Sequence, residues 1–290
     1  MNGGLNGINE EIMEAATEMP SYRRVEMVYI NLIDEDGRLR YRSGTNGSDL
    51  CANRIEGGLG MIGANVYRKD LDPYLAGLAT DAGAELRNST LVNDVIMENG
   101  RVAGIKTDKG DSIQADLVIA ADGAISTMVK KSGMRNRWEG GNTLVAQLDF
   151  SCDEQKMDDV IGPANWVWFG SVAGDYQVNF RDGFHLGAGT WLDENWNIDC
   201  IDLVRRVTAF PAFQAMCRAV DAKPREYQAH TLPWLRKPPK TYMAGMLLVG
   251  DAAGFPCPLE GEGIWHALVS GKAAAETAAW ALSKGDVSES

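Results

Sequence analysis

Residues 26–33, EMVYINLI, concentrate Val, Ile and Tyr and read as a strand. Asp34-Glu35-Asp36-Gly37 supplies turn chemistry, so 38–42 is expected to pair back as a hairpin. Four glycines within 54–63 predict a loop. Across 70–82, apolar Leu71, Tyr74, Leu75, Leu78 and Ala82 recur at helical spacing, and Gly83 marks the stop. Three short β-like runs follow at 90–97, 102–107 and 112–115, with Asn99-Gly100 as the hairpin turn between the first two. The run 117–121, LVIAA, is apolar throughout, as expected of a strand buried on both faces.

The texture changes between 140 and 240, where aromatic residues concentrate, Trp166 and Trp168 among them. Alternation at 143–150, 176–180 and 184–191 predicts an antiparallel sheet. Helical patterning spans 201–218, and Pro233, Pro238 and Pro239 predict a stiff linker. Beyond it, 246–250 reads as an apolar strand and 263–283 as a long Ala-rich helix. No internal repeat or low-complexity tract interrupts this mixed α/β order. The two apolar strands at 117–121 and 246–250 both end in glycine-containing turns, which fits a chain that leaves one domain and returns to it.

Composition removes several function classes. With 290 residues the chain is long enough for one large or two modest domains. A net charge of −12 argues against an electrostatic nucleic-acid binder, which needs a basic face. The chain contains no apolar run long enough for a membrane helix, and 1–9 has neither the basic nor the apolar region of a signal peptide. Its 5 cysteines are scattered and never form a C-x-x-C pair, so disulfide, zinc and iron–sulfur readings find no support. Reduced thiols in a cytoplasmic protein are the expectation.

Three segments carry candidate chemistry. Gly250-Asp251-Ala252-Ala253-Gly254, then Pro258-Leu259-Glu260-Gly261-Glu262-Gly263-Ile264, follows a buried strand and opens a helix. The small residues let backbone approach a bulky ligand, the helix start can face a polar or anionic atom, and Asp251 can accept hydrogen bonds from ligand hydroxyls. A second strand ends in Asp122-Gly123, with Ser126 and Lys130 beyond; alone this reads as an ordinary turn. The third is Arg68, just ahead of the 70–82 helix, where a guanidinium could fork onto phosphate or be merely solvated.

Together these segments resemble the FAD signatures of the glutathione-reductase-like flavoproteins: the Asp-Gly fingerprint of hydroxylase-type members at Asp122-Gly123, the Gly-Asp fingerprint at Gly250-Asp251, and the arginine-containing helix start at Arg68. Gly254-x-x-x-Pro258-x-x-Gly261-Glu262-Gly263-Ile264, with Ala267, Ser270 and Gly271, is most similar to FixC proteins and geranylgeranyl reductases. The resemblance implies FAD as cofactor. It places Asp251 on a ribityl or ribose hydroxyl, and Gly250, Ala252 and Ala253 along the pyrophosphate path. Pro258 and Gly261, Glu262, Gly263 and Ile264 would pass beside the isoalloxazine, Arg68 would contact the pyrophosphate, and Asp122 and Gly123 would support it.

The same resemblance implies an α/β flavoprotein. Its FAD-binding, Rossmann-like portion comprises 62–137 and 241–290, and its antiparallel-sheet substrate portion comprises 9–61 and 138–240. No G-x-G-x-x-G turn is found, so the opening βαβ unit, about fifty residues with its connection, is expected to lie outside this chain. The expected activity is FixC-like, passing electrons between a ferredoxin or electron-transfer flavoprotein and a quinone or similar apolar acceptor. One alternative is a geranylgeranyl reductase that saturates isoprenoid double bonds; another is a non-catalytic remnant that binds no flavin. Phe169-Gly170 stands where prenyl reductases often have Phe-Pro. Trp166 and Trp168 would suit either apolar ligand, and equally a protein core. Peripheral membrane contact is compatible with either substrate; no metal and no nucleic acid are expected. No acid–base residue is assigned: Glu262 and His266 lie nearest the loop but read more simply as a solvated carboxylate and a packed imidazole.

Overall fold

The computed structural model describes residues 8–46, 63–135, 141–169, 174–191, 199–234, 239–257 and 263–289. In chain order the elements are α1 (Ile8–Thr17), β1 (Arg23–Val25), β2 (Met27–Ile33), β3 (Leu39–Asn46), β4 (Gly63–Asn65) and α2 (Arg68–Asp81). Next come β5 (Val92–Glu98), β6 (Arg101–Thr107), β7 (Ser112–Gln114), β8 (Val118–Ala120), α3 (Thr127–Lys131), β9 (Gly141–Ser151), α4 (Glu154–Val160), β10 (Ala164–Phe169), β11 (Gly174–Asn179) and β12 (Gly183–Trp191). The remainder are α5 (Cys200–Thr208), α6 (Pro211–Ala219), β13 (Lys223–Trp234), β14 (Tyr242–Met243), β15 (Met246–Leu248), α7 (Gly250–Ala253) and α8 (Ile264–Lys284).

These elements divide between two compact units. The first takes the described residues of 8–86, 144–190 and 199–230; the second takes 87–143, Trp191 and 231–289. The sequence reading places 62–137 together as a flavin portion, whereas α2 and the chain up to Leu86 pack with the first unit.

In the first unit a seven-stranded sheet has the order β13-β9-β12-β11-β10-β2-β3. The β2–β3 hairpin forms at its expected turn, with Gly37 in the left-handed region at φ 72°. The sheet is mixed rather than antiparallel, because β10 runs parallel to β2, pairing Ala164 with Met27 through Phe169 with Leu32. A parallel neighbour needs a long crossover, and the chain between these two strands supplies one. β13, which the sequence reading does not anticipate, lies at the sheet's end, where Pro233 can sit without costing the ladder a central bond. The helical stretch 201–218 is two helices, since Pro211 cannot continue α5 and instead starts α6 at its first position.

Alternation along β2 sorts its side chains cleanly: Asn31 and Ile33 are buried, while Ile30 and Leu32 are 41% and 43% exposed. The covered face carries the core, in which Trp168, Phe184, Leu186, Val204, Val207 and Phe213 are packed together. Trp168 and Phe213 meet edge-on with centroids 5.6 Å apart.

His185 on β12 faces the edge of the Phe180 ring, with centroids 5.2 Å apart. Burial pushes its pKa from 6.5 down to about 4, so the folded protein holds a neutral imidazole. The unfolded chain takes up a proton below about pH 6.5 and the folded chain does not. The stability associated with the neutral ring is therefore complete above about pH 6.5 and is lost as pH falls toward about 4. Full linkage would be about 3 kcal/mol; the residue is only half-buried, so we expect about 2 kcal/mol. His185→Gln should flatten this acid limb in urea titrations compared at about pH 5 and pH 7. An unaltered limb would assign it to other groups.

In the second unit, β5, β6 and β7 form a meander whose first turn places Asn99 and Gly100 at φ 51° and 83°. A second sheet has the order β14-β15-β8. Ala120, Leu248 and Met246 join Val95, Val102, Met128, Val129 and Ala253 in the core of this unit. The expectation that 117–121 is buried on both faces is not met. β8 has β15 on one side and stands at the end of its sheet, so that Ala120 points into the core while Ile119 is 40% exposed. Among the described residues no helix is long and apolar enough to cross a membrane.

Candidate functional site: two turns at the ends of adjacent parallel strands

β8 and β15 are parallel and in register, from Val118 opposite Met246 to Ala120 opposite Leu248. The backbone N–H of Val249 extends the pairing by donating to the Ala120 carbonyl at 3.0 Å. Asp122-Gly123 and Gly250-Asp251 therefore leave neighbouring strands at the same, carboxyl-terminal end. Loops at that end of a parallel pair are where α/β folds receive ligands, because the helices that follow direct their N–H groups back toward the strand ends.

Asp122 builds its own turn. One carboxylate oxygen accepts from the Ser126 hydroxyl at 2.5 Å and the other from the Met128 N–H at 3.0 Å. Ser126 in turn caps α3 by accepting from the Val129 N–H. Gly123 follows at φ 79°.

The second turn is held against α8. Gly250 has φ 53°, and a Cβ there would lie 3.2 Å from the Ala267 side chain, so both backbone angle and space call for glycine. Its N–H donates to Ser270 Oγ at 3.0 Å, and that hydroxyl donates to the His266 carbonyl at 2.7 Å. Gly250, Ala252 and Ala253 are all buried. The Ala252 carbonyl accepts from Arg135 Nη2 at 2.6 Å. Asp251 reaches the start of α8: a Cβ on Gly263, the helix N-cap, would lie 3.3 Å from its Oδ1. A carboxylate here is favoured by the helix dipole. Glycine at the helix start puts no side chain between the Asp251 carboxylate and the Gly263 backbone, a spacing that fits a hydroxyl-bearing ligand such as FAD. Ile264, the first residue of α8, is 37% exposed.

Of the site residues expected from sequence, the structure brings together Asp122, Gly123, Gly250, Asp251, Ala252, Ala253, Gly263 and Ile264 in the second unit. Pro258, Gly261 and Glu262 lie outside the described residues. Arg68 belongs to the first unit, where it begins α2 and pairs with Asp72 at 2.5 Å on the exposed surface. That helix start is fixed by Ser21, whose hydroxyl accepts from the Tyr67 N–H at 2.9 Å and donates to Asp70.

Trp166 and Trp168 are not pocket walls. They are 4% and 1% exposed, and both belong to the core beneath the seven-stranded sheet. Strand alternation puts them on the covered face, where Trp168 Nε1 donates to buried Gln177 at 2.8 Å. Trp168→Phe should cost about 1–2 kcal/mol by leaving Gln177 without that donor. Substrate preference should not move; a changed preference with unaltered thermal stability would return this residue to a binding role.

Arg135 escaped sequence reasoning. A single arginine beyond a short helix carries no motif, and its partner lies more than a hundred residues along the chain. Ser270 left a trace, as part of the pattern that follows Ile264.

A family described as the FAD binding domain matches residues 59–181. Digeranylgeranylglycerophospholipid reductase 2 of Methanococcoides burtonii is 31% identical over 247 residues, covering 79% of this chain and 56% of that protein. Protein FixC of Salmonella typhi is 26% identical over 264 residues, covering 84% of this chain and 59% of that protein. This chain thus spans less than three fifths of the curated relatives it matches. Among solved structures, a geranylgeranyl bacteriochlorophyll reductase-like protein from Thermoplasma acidophilum superposes with a TM-score of 0.74 at 22% identity, covering 96% of this chain and 68% of that one. The flavin-dependent brominase Bmp2 superposes with a TM-score of 0.67 at 16% identity, covering 100% of this chain and 71% of that one. Both likenesses concern fold, a mixed α/β flavoprotein architecture. On these matches the chain carries a likeness to the FAD binding domain over residues 59–181 and is similar along most of its length to the digeranylgeranylglycerophospholipid reductases and to FixC.

Proposed function

We propose that the second unit holds FAD along its two strand-end turns and that the protein uses it to reduce an apolar, prenyl-type substrate. One observation carries the first half: Asp122-Gly123 and Gly250-Asp251 end adjacent parallel strands on the same side. Asp251 would accept a ribityl or ribose hydroxyl beside the open backbone of Gly263. Gly250, Ala252 and Ala253 would offer backbone to the pyrophosphate, while Asp122 and Gly123 shape the neighbouring turn. Gly263 and Ile264 would pass beside the ring. Bound FAD supplies hydride or electron transfer; the protein binds, orients and shields it.

For the substrate, prenyl-lipid reduction is favoured by relatives named for a digeranylgeranylglycerophospholipid at 30–31% identity, against 26% for FixC. An apolar ridge in the first unit agrees with a greasy ligand: Ile30, Leu32 and Tyr41 share one sheet face and are 41%, 43% and 59% exposed. The second reading, electron transfer between a protein donor such as a ferredoxin and a quinone, rests on the FixC likeness and would use the same ridge.

Purification of the product of the complete reading frame, followed by an absorbance spectrum and heat release of the cofactor, tests the flavin. FAD is expected; FMN or a colourless protein refutes it. Anaerobic assays of the reduced protein with a geranylgeranyl lipid and with a quinone then separate the two substrates. Saturation of the lipid is expected, and reduction of the quinone alone would select the second reading.

A further inference from the structure

We infer that Arg135 is a positioning residue for the proposed flavin site, clamping the Gly250–Ala253 turn through the carbonyl of Ala252. The inference rests on the reading of that turn as the FAD site and extends it to a residue outside every cofactor motif. α7 is a single turn, so its carbonyls are helix-end groups that need partners from elsewhere. Backbone donors serve two of them: Gly254 N–H reaches Gly250 and Asp251, and Phe255 N–H reaches Gly250. Ala252 takes a guanidinium instead, at 2.6 Å. A cation at the carboxyl end of a helix is in the favourable sense of its dipole, and a charge-assisted bond is about twice as strong as a neutral one.

The other end of the turn is tied by Gly250 N–H to Ser270 on α8. With both ends anchored, Asp251 between them is delivered to the start of α8, next to Gly263. Arg135 also lies in the short segment that leaves α3, the helix whose start Asp122 and Ser126 hold. Its bond to Ala252 therefore links the two strand-end turns a second time, beyond the strand pairing itself. Releasing it would free the Gly250 turn to shift and would take Asp251 out of register with its ligand.

The test uses the complete protein stripped of flavin, with Arg135→Met, Arg135→Lys, Asp251→Ala and the Arg135→Met/Asp251→Ala pair. FAD affinity is read by flavin fluorescence quenching, and the melting temperature of each apoprotein by calorimetry. Arg135→Met should weaken FAD about tenfold, the equivalent of one charge-assisted bond. Arg135→Lys, which keeps the charge and a donor, should stay within about threefold of the parent. In the double variant the loss from Asp251→Ala should shrink, because the aspartate is already misplaced. A merely structural arginine would lower the melting temperature without coupling to Asp251 in FAD affinity. Should Arg135→Met fail to fold, Arg135→Gln replaces it in the same cycle. Losses that simply multiply, or an affinity within about twofold of the parent, overturn the inference. A parent that binds FAD, loses it on Asp251→Ala and ignores Arg135 overturns the inference alone; a parent that binds no FAD overturns the flavin reading together with it.

Discussion

Asp251→Ala should weaken FAD binding by about tenfold to a hundredfold, the loss of a hydrogen bond to a charged acceptor worth about 1.5–3 kcal/mol. Asp251 stands between the Gly250 backbone and the N-terminus of the 21-residue helix α8, with bare Gly263 beside its carboxylate. Removing it would take away the proposed ligand acceptor, while Ser270 still accepts from the Gly250 N–H. Asp122→Ala should behave differently. Both of its oxygens serve the turn itself, accepting from Ser126 and Met128. Its loss should lower apoprotein stability by about 1 kcal/mol, as removal of a helix cap does, and weaken FAD less. Titration of apoprotein with FAD, alongside calorimetric melting, distinguishes the two. Equal FAD affinities for parent, Asp251→Ala and Asp122→Ala would remove the cofactor from this pair of turns.

Arg23→Met should destabilise the first unit by about 2–3 kcal/mol, because it leaves the Met157 and Gly162 carbonyls without their donor. The guanidinium is 5% exposed and donates to the carbonyls of Met157 at 3.0 Å and Gly162 at 2.6 Å, and to Asp158 at 3.1 Å. It thereby satisfies carbonyls at the end of α4, where the chain turns into β10. Desolvation lowers the arginine pKa without discharging it. Asp158 itself is 69% exposed, so Asp158→Ala should cost less than about 1 kcal/mol: the backbone carbonyls, rather than the ion pair, hold the arginine. Arg23→Lys should rescue little, since a compact ammonium lacks the wide planar fork that lets the guanidinium reach these separated acceptors. Urea unfolding followed by the fluorescence of core Trp166 and Trp168 reads these differences. An Arg23→Met variant within about 1 kcal/mol of the parent would show that water replaces the guanidinium there.

Local patterns foretold most of the elements. The 27–33 strand, its Asp34–Gly37 turn, the helix stopped by Gly83 and the Asn99-Gly100 hairpin are all decided by residues within a few positions of one another. Pro211 is the same kind of signal, a splitting of helical periodicity visible in one residue. β13 was hidden because KPREYQAHTLPW is polar and exposed along most of its length, and an edge strand needs no apolar alternation.

Trp166 and Trp168 mark the limit of that reasoning. Aromatic content predicts burial, but core and ligand pocket are both apolar, and only the packing of α5 and α6 on one face of the sheet assigned these side chains to the core. The exposed ridge of Ile30, Leu32 and Tyr41 has a composition no different in kind; its side of the sheet, set by strand parity, separates it from the tryptophans.

The sequence by itself determined most of the elements and the small-residue turns at Asp122-Gly123 and Gly250-Asp251, because periodicity and turn chemistry act over short stretches of chain. Tertiary structure alone decided that those turns are neighbours, that β2 and β10 run parallel, that α2 packs with the first unit, and that Arg23 and Arg135 are clamps. Each of these depends on partners far apart in the chain, and which of many sterically possible partners is chosen follows from the faces that the whole core must cover.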